Sequence, residues 1–563
     1  MGKRSVNKVK YILYGANRVS KDFKYIFDKL EYEFISDEGD MADSWNGIPY
    51  LDIHKVTNLK NDEQIIICDF EKKEKEQVLC QKGFKYGKEY LYEKDFFELL
   101  DPWKIPNRKI AVWGTGRVAK RLLDESVLES VDVYIDTNKA GGFFDNKEIL
   151  SPDEIENWKE YFVIVAVVKD AEICAELEKH GLMENVDYAR YQSVTGMPSR
   201  LLKKTIFDKS YYDLECKTML NHLEIFRNGD TRCCCTTFVN QNLENMMQNT
   251  MQEVWNSNLH KILCLSTENH TYSFCDKTMC PLFVAKEKEN LRCIEDYKSM
   301  SEYPETLALG YDSTCNLACV TCRECTHIAQ GQEKEIAMNI AEKINNEYLD
   351  HCKFLIMAGD GEVFLSPAYK AVYTNQNCNP PYIRLLSNGM LFNERNWGNF
   401  KKGKNGKIML TVSIDAATKE TYESIRRNGN FDILKKNMEF AAKLRKDGEL
   451  RYFRLNFVVQ KENYQEMPLF VRWGEELGVD EIFFTKILNW GTYSDDEFKK
   501  ISMMETDGIT PKKELLDIMN SQEMQSDIVD LGTIQYGHKE DIVDYVENYY
   551  MWELEKRGGK IFD

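Results

Sequence analysis

The chain has 563 residues, 43% hydrophobic and 29% charged, proportions of a globular protein that exclude collagen-like, low-complexity and disordered readings. Lys and Arg total 74 against 92 Asp and Glu, a net charge of −18, which excludes an extended basic face for duplex nucleic acid or anionic lipid. At this length three or four domains are expected.

No apolar run approaches the roughly 18 residues of a membrane span, and the basic stretch Met1 to Lys10 is not followed by an apolar signal core, so a cytoplasmic protein is expected. In that compartment the 17 cysteines stay reduced, and clustered ones read as metal or cluster ligands. Twelve of them lie between Cys216 and Cys325, whereas the first 215 residues hold only Cys68, Cys80 and Cys174. The asymmetry locates the chemistry. The eight histidines form no His-x-x-x-His pair, so a histidine-rich zinc or iron site is a poor competitor.

In chain order, the first 197 residues read as a duplication with a period of 99, divided at 1–104 and 105–197. Lys10-Tyr-Ile-Leu-Tyr-Gly-Ala-Asn-Arg-Val19 aligns with Lys109-Ile-Ala-Val-Trp-Gly-Thr-Gly-Arg-Val118, Asp37 with Asp136, and Ile65-Ile66-Ile67 with Ile164-Val165-Ala166. Each half predicts βαβ units with a glycine turn after the first strand and an acidic residue after the second, as nucleotide-binding Rossmann-type domains begin. The second copy keeps Gly114 and Gly116 and places Asp136 near the distance of a ribose-binding carboxylate; the first copy has lost its second glycine. The segment resembles Rossmann-like modules attached to sugar-modifying enzymes of polysaccharide gene clusters. Two readings stay open for the second copy: a bound nucleotide or nucleotide-sugar at Gly114, Gly116 and Asp136, or a docking or dimerisation domain that retained its turn glycines.

Residues 198–300 show poor periodicity and dense cysteines, which predicts a small domain held by metal rather than by an apolar core. From 301 to 492 six β-runs alternate with helical stretches: Thr306 to Asp312, Phe354 to Gly359, Tyr382 to Asn388, Ile408 to Asp415, Tyr452 to Gln460 and Glu481 to Leu488. These predict a partial (β/α)6 barrel within an α/β fold, followed by an acidic tail, 493–563, read as capping helices.

The first β-run leads directly into Cys315-Asn-Leu-Ala-Cys319-Val-Thr-Cys322, a Cys-x3-Cys-x2-Cys spacing. Three thiolates on one loop can bind three irons of a [4Fe-4S] cube and leave the fourth iron open. The competing reading has Cys325 completing a closed four-cysteine set. The second run ends in Met357-Ala-Gly359-Asp360-Gly361-Glu362, the third in Ser387-Asn388-Gly389 and the fourth in Ser413-Ile-Asp415. This order of motifs resembles the radical SAM superfamily. The resemblance implies that Gly359, Asp360, Gly361 and Glu362 hold the amino group of S-adenosylmethionine, and that Ser387, Asn388, Ser413 and Asp415 bind its ribose and carboxylate. It also implies a flavodoxin- or ferredoxin-type electron donor. The aromatic usually found before the third cysteine is here Thr321.

Upstream, Cys216 is followed by twelve residues, Gly229, four residues and Cys234, and later by the Cys275-x4-Cys280 pair. The pattern resembles SPASM/twitch modules, which carry auxiliary [4Fe-4S] clusters, although such modules usually follow the barrel. Cys216, Cys234, Cys275 and Cys280 are the expected ligands of one auxiliary cube, with Cys233 or Cys235 as substitutes for Cys234, Cys264 and Cys293 as a further coordination option, and zinc on the same thiolates as the alternative. Trp255 reads as core, His327 as a hydrogen-bonded structural residue, Cys352 and Cys378 as small apolar residues, and Arg426 and Arg427 as solvated on a barrel helix.

The combined expectation is a radical SAM enzyme acting on a small molecule, a sugar or sugar-nucleotide, or on a peptide, with no nucleic-acid or membrane partner. A lapsed cluster-binding scaffold and a nucleotide-sugar oxidoreductase are the alternatives.

Overall fold

Three successive isoleucines in Glu63–Ile67 are wholly buried, as a parallel strand covered on both faces requires. In the computed structural model this strand belongs to a sheet of β1 (Lys10–Tyr14), β2 (Glu31–Ser36), β3 (Glu63–Ile67) and β4 (Tyr90–Tyr92), parallel throughout and ordered β2-β1-β3-β4. The structure describes residues 9–37, 44–45, 47–69, 72–124, 128, 130–167, 170–203, 206–207, 216–235, 238–239, 241–268, 272, 274–275, 280–284, 301–489, 492–535 and 543–544; Cys293 lies outside them.

A second sheet repeats the topology. Its strands are β5 (Lys109–Trp113), β6 (Val133–Ile135), β7 (Phe143–Phe144), β8 (Lys147–Leu150), β9 (Tyr161–Val165) and β10 (Tyr188–Arg190), in the order β10-β9-β5-β6-β8-β7, with only β7 antiparallel. The register corrects the expected alignment by one residue. Gly15 and Gly114 donate to the carbonyls of Ser36 and Ile135, which keeps the period of 99, but Cys68 and Ala166 donate to Tyr14 and Trp113, which shortens it to 98. Ile65-Ile66-Ile67 therefore corresponds to Val163-Ile164-Val165. The run is apolar in either register, so hydropathy alone could not reveal the deletion.

The third sheet has nine strands: β11 (His222–Phe226), β12 (Thr231–Arg232), β13 (Thr306–Gly310), β14 (Phe354–Met357), β15 (Tyr382–Ser387), β16 (Lys407–Ser413), β17 (Leu450–Val459), β18 (Glu481–Lys486) and β19 (Val529–Asp530). Their order is β12-β11-β13-β14-β15-β16-β17-β18-β19, and every pairing except β11 with β12 is parallel. The six expected runs are β13 to β18. Along these strands one face, Leu307, Leu355, Ile383, Leu410, Leu455 and Phe484 among others, is buried with residues of the crossover helices, while the opposite face carries half-buried Arg384, Ser413, Arg454, Asn456 and Thr485.

Three strands lie beyond the expected six. β19 comes from the C-terminal tail, read from sequence as helices alone. β11 and β12 come from the cysteine-dense segment, and they remove the expectation of a separate domain without an apolar core. The sequence of β11 alternates, so Leu223 and Ile225 enter the same core as β13 to β18, joined by Met219, Val254 and Trp255. Five residues of β11 pair with β13. Helix α1 (Asn258–Glu268) faces the other way, with Ile262 and Leu265 packed among Leu13, Phe23, Phe27 and Phe96 of the first unit, and Lys261 paired to Asp28 at 2.7 Å. Segment 198–300 thus joins the N-terminal sheet to the large one. No helix among the described residues is long and apolar enough to cross a membrane.

Candidate cofactor site

The parallel strands place the ends of β13, β14, β15 and β16 side by side, where loops of α/β folds gather their functional groups. The cysteine loop follows β13. It is closed at its base by Cys315 N–H donating to the His327 carbonyl at 2.7 Å, and by the Thr314 hydroxyl accepting from Ala329 N–H at 3.0 Å. Its far side is held by the end of helix α2 (Lys419–Ile425): Ala318 N–H donates to the Arg427 carbonyl and Val320 N–H to that of Ile425, each at 3.0 Å, and Arg427 Nε donates to Ala318 O at 2.8 Å. Cys315 and Cys319 are buried; Cys322 and Cys325 are exposed. His327 Nε2 meets the Glu333 carboxylate at 2.8 Å.

The glycine-rich segment after β14 lies directly on this loop. Gly361 has φ +74°, and a Cβ there would stand 2.4 Å from the Asp312 carbonyl oxygen and 2.8 Å from that of Thr314, so only glycine fits. Glu362 N–H then donates to Thr314 O at 2.8 Å, and its side chain turns inward to full burial. There the carboxylate accepts from the Ser387 hydroxyl at 2.9 Å and from Asn388 N–H at 2.8 Å. Burial outweighs these donors and pushes its pKa up to about 7. Asn388 in turn donates from Nδ2 to Asn316 Oδ1 at 2.9 Å. The structure thus brings Cys315, Glu362, Ser387 and Asn388 together.

Asp360 and Asp415 are placed nearby but with protein partners. Asp360 accepts from Arg227 and from Arg323, the latter at 3.2 Å. Asp415, in the left-handed region at φ +68°, accepts from Val458 N–H at 2.8 Å and pairs with Arg426 at 2.6 Å. Arg426 corrects the expectation of a solvated helix residue, because its side chain is 11% exposed. The helix ends at Ile425, so Arg426 is the cap residue whose backbone turns the side chain inward rather than along the outer face. Neither Arg426, Arg323 nor Arg227 was read as a site residue. Arg323, adjoining Cys322, was open to notice; Arg227 and Arg426 reach the site only through the fold. Ser413 lies half-buried at the end of β16, in register with Asn456.

The second cysteine group also converges. Cys234 is buried, and burial together with neighbouring Cys216, Cys280, Cys235 and Cys275 pushes its thiol pKa far up. Cys216, Cys275 and Cys280 pack around Tyr272, Leu282 and Phe283. Cys233 and Cys234 both border the main core, but Cys233 is the one felt by Cys264, whereas Cys216, Cys235, Cys275 and Cys280 neighbour Cys234. Among the described residues, no three His, Cys, Asp or Glu side chains close on one point as a single metal ion requires.

In the N-terminal units the acidic residue after the second strand folds back on the glycine turn. Asp37 accepts from Ala16 N–H at 2.8 Å, and Asp136 from Thr115 Oγ1 at 2.6 Å and Asn138 N–H at 3.0 Å. Gly114 lies against Ala166 and Val167, whereas Gly116 faces open space. A cleft of about 490 Å³ lined by Trp397, Lys401, Lys443 and Glu449 contains none of the motif residues.

The C2185-like N-terminal family matches residues 106–186, a minor part of the chain. No curated protein matches. Among solved structures, Streptococcus suis SuiB bound to S-adenosylmethionine is similar at 14% identity, over 35% of this chain and 43% of that one, with a TM-score of 0.26. TYW1 with a lysine-pyruvate adduct is similar at 16% identity over 38% of this chain and 70% of that one, TM-score 0.25. For anSMEcpe with bound AdoMet and Cp18Cys peptide the values are 20%, 31%, 48% and 0.24. These neighbours are radical SAM enzymes, the superfamily that the motifs resemble. The matched region spans less than half of SuiB, and the functional reading rests on the site residues themselves.

Proposed function

We propose that this chain is a radical SAM enzyme that cleaves S-adenosylmethionine at a [4Fe-4S] cluster held by Cys315, Cys319 and Cys322. What carries the reading is the placement of Glu362, a wholly buried carboxylate fixed against the cysteine loop through Gly361 and Thr314. Buried and close to Cys315, it is suited to accept the ammonium of a bound methionine moiety. Three thiols with nitrogen donors on their sulfurs suit an anionic cube better than a neutral ligand. When bound, such a cluster would supply the electron that breaks the sulfonium C–S bond and yields a 5′-deoxyadenosyl radical for hydrogen abstraction.

The chain's own part is orientation. Ser387 and Asn388 hold Glu362 and keep Asn388 beside Cys315, and Asp415 orders Arg426 and the start of the 458–463 loop. Gly359, Asp360, Ser413 and the strand ends around them complete the proposed binding surface. Cys216, Cys234, Cys275 and Cys280 are the proposed ligands of an auxiliary cube, with Cys235 adjoining them and a low-potential flavodoxin- or ferredoxin-type protein as electron donor. A sugar or sugar-nucleotide is the proposed substrate, on the resemblance of residues 1–197 to modules of sugar-modifying enzymes.

Anaerobic reconstitution with iron and sulfide, followed by SAM and dithionite, tests the reading. 5′-Deoxyadenosine is expected from the wild type and none from Cys319→Ala. Product from Cys319→Ala at the wild-type rate would overturn it.

A further inference from the structure

The three loop cysteines share a feature that their spacing does not require: each sulfur is approached by a side-chain nitrogen donor. Asn388 Nδ2 lies 3.6 Å from Cys315 Sγ, Arg426 Nη1 lies 3.5 Å from Cys319 Sγ, and Arg323 Nε lies 3.4 Å from Cys322 Sγ. Two of the donors are guanidiniums, and each is held by a carboxylate, Arg426 by Asp415 at 2.6 Å and Arg323 by Asp360 at 3.2 Å. Arg426 is the more constrained. Its partner Asp415 is 1% exposed, and its own Nε is buried with no acceptor among the described residues.

Placing a buried arginine beside a thiolate is costly unless the charge is used. The Asp415–Arg426 pair is already neutral as a unit, so the pair does not need Cys319 to satisfy charge. The sulfur contact therefore sets where the positive end of that pair points. Hydrogen bonds to cysteine sulfurs and local net charge are the protein's levers on the potential of an iron-sulfur cube.

We propose that Arg426, oriented by Asp415, and Arg323, oriented by Asp360, are positioning residues that raise the reduction potential of a cube on Cys315, Cys319 and Cys322. The inference rests on the proposed function only in requiring that this loop bind a cube. One electron from a low-potential donor takes the cube from the 2+ to the 1+ state, and the added negative charge is spread onto its thiolates. The two guanidiniums stabilise that charge, so the reduced form is favoured.

The test is an EPR-monitored redox titration of reconstituted full-length protein with dithionite, following the signal absent from Cys319→Ala. The double variant Asp415→Asn/Arg426→Gln removes the pair without leaving a buried carboxylate unpaired, and Arg323→Gln removes the second guanidinium. Each is expected to shift the midpoint to more negative potential, for Arg426 by at least a tenfold loss in electron affinity, about 59 mV for one electron. Arg426→Lys is expected to load iron and to retain most of the wild-type potential. Unchanged midpoints in iron-loaded Gln variants would overturn the proposal. So would an Arg426→Lys protein that is folded yet binds no iron at this loop. A wild type whose midpoint responds to Arg426 but which leaves SAM intact would defeat the enzyme reading and leave this inference standing; a wild type with no iron on the loop would remove both.

Discussion

Arg227, the first residue after β11, donates from Nε to Asp360 Oδ2 at 3.0 Å across 133 residues of sequence. β11 runs parallel to β13, so its carboxyl end reaches the same edge of the sheet as the cysteine loop. Arg227, in a segment that precedes β13 in sequence, is thereby placed beside the glycine-rich loop. Because Arg227 is more than half exposed, its ion pair stabilises the fold by no more than about 1 kcal/mol. Arg227→Ala should accordingly leave the urea midpoint nearly unchanged while weakening SAM binding about fivefold, the equivalent of about 1 kcal/mol, by loosening the 359–362 loop. Equilibrium dialysis of labelled SAM checks this. An unaltered Kd would show that the clamp has no bearing on the site.

Glu362 provides a pH signature. Its pKa is raised from an ordinary 4.5 to about 7 by burial. A carboxyl raised on folding contributes stability that is fully present below pH 4.5 and is lost as pH rises through 7, amounting to roughly 3 kcal/mol between those limits. An ammonium group arriving beside it favours the ionised form. SAM binding at pH 6 should therefore release close to one proton, and the release should fall as pH rises through 7; calorimetry in buffers of different ionisation enthalpy measures it. Glu362→Gln should abolish proton release and weaken SAM at least tenfold, about 1.4 kcal/mol.

For the second cysteine group, iron and zinc content decide. With a cube on each group the reconstituted chain should carry about eight irons, and Cys275→Ser or Cys280→Ser about four. Cys233→Ser should leave the count unchanged, since that thiol neighbours Cys264, whereas Cys216, Cys235, Cys275 and Cys280 are the neighbours of Cys234. About four irons plus one zinc in the wild type would replace the auxiliary cube with a zinc site.

The six strands from β13 to β18 were legible because each is an apolar β-run between helical stretches, the first four ended by Gly, Asn or Asp, with the cysteine loop after β13 and the glycine-rich motif after β14. β11 was not legible, because five residues alternating between cysteines give too short a periodic signal, and its strand state comes from pairing with β13. β19, two residues long, is likewise imposed by β18. At the site, Glu362 and the three cysteines could be read from their spacing. Arg426 could not, since helical periodicity continued through residue 427 and only the helix end at Ile425 turns it inward. The duplicated units were legible in topology but not in register, since one deleted residue between two apolar strands leaves no mark in hydropathy.

The two glycines of the second unit should separate turn geometry from ligand binding. Gly114 has φ +113°, and a Cβ there would stand 2.6 Å from Val167 Cγ1 and 2.7 Å from the Ala166 carbonyl oxygen. Gly114→Ala should therefore destabilise the chain by about 2 kcal/mol or more, from backbone strain and collision together. Gly116 has no neighbour within 4 Å of such a Cβ, so Gly116→Ala should leave stability within about 0.5 kcal/mol of wild type. If a pyrophosphate approaches this turn as the Rossmann resemblance implies, Gly116→Ala should still cut nucleotide-sugar affinity, because the added methyl stands in the space the phosphates would use. Thermal unfolding and calorimetric titration of both variants give the two readouts. Wild-type stability together with no nucleotide-sugar binding by either Gly116→Ala or the parent would assign the unit to docking, with Asp136 serving only to hold Thr115 and the turn.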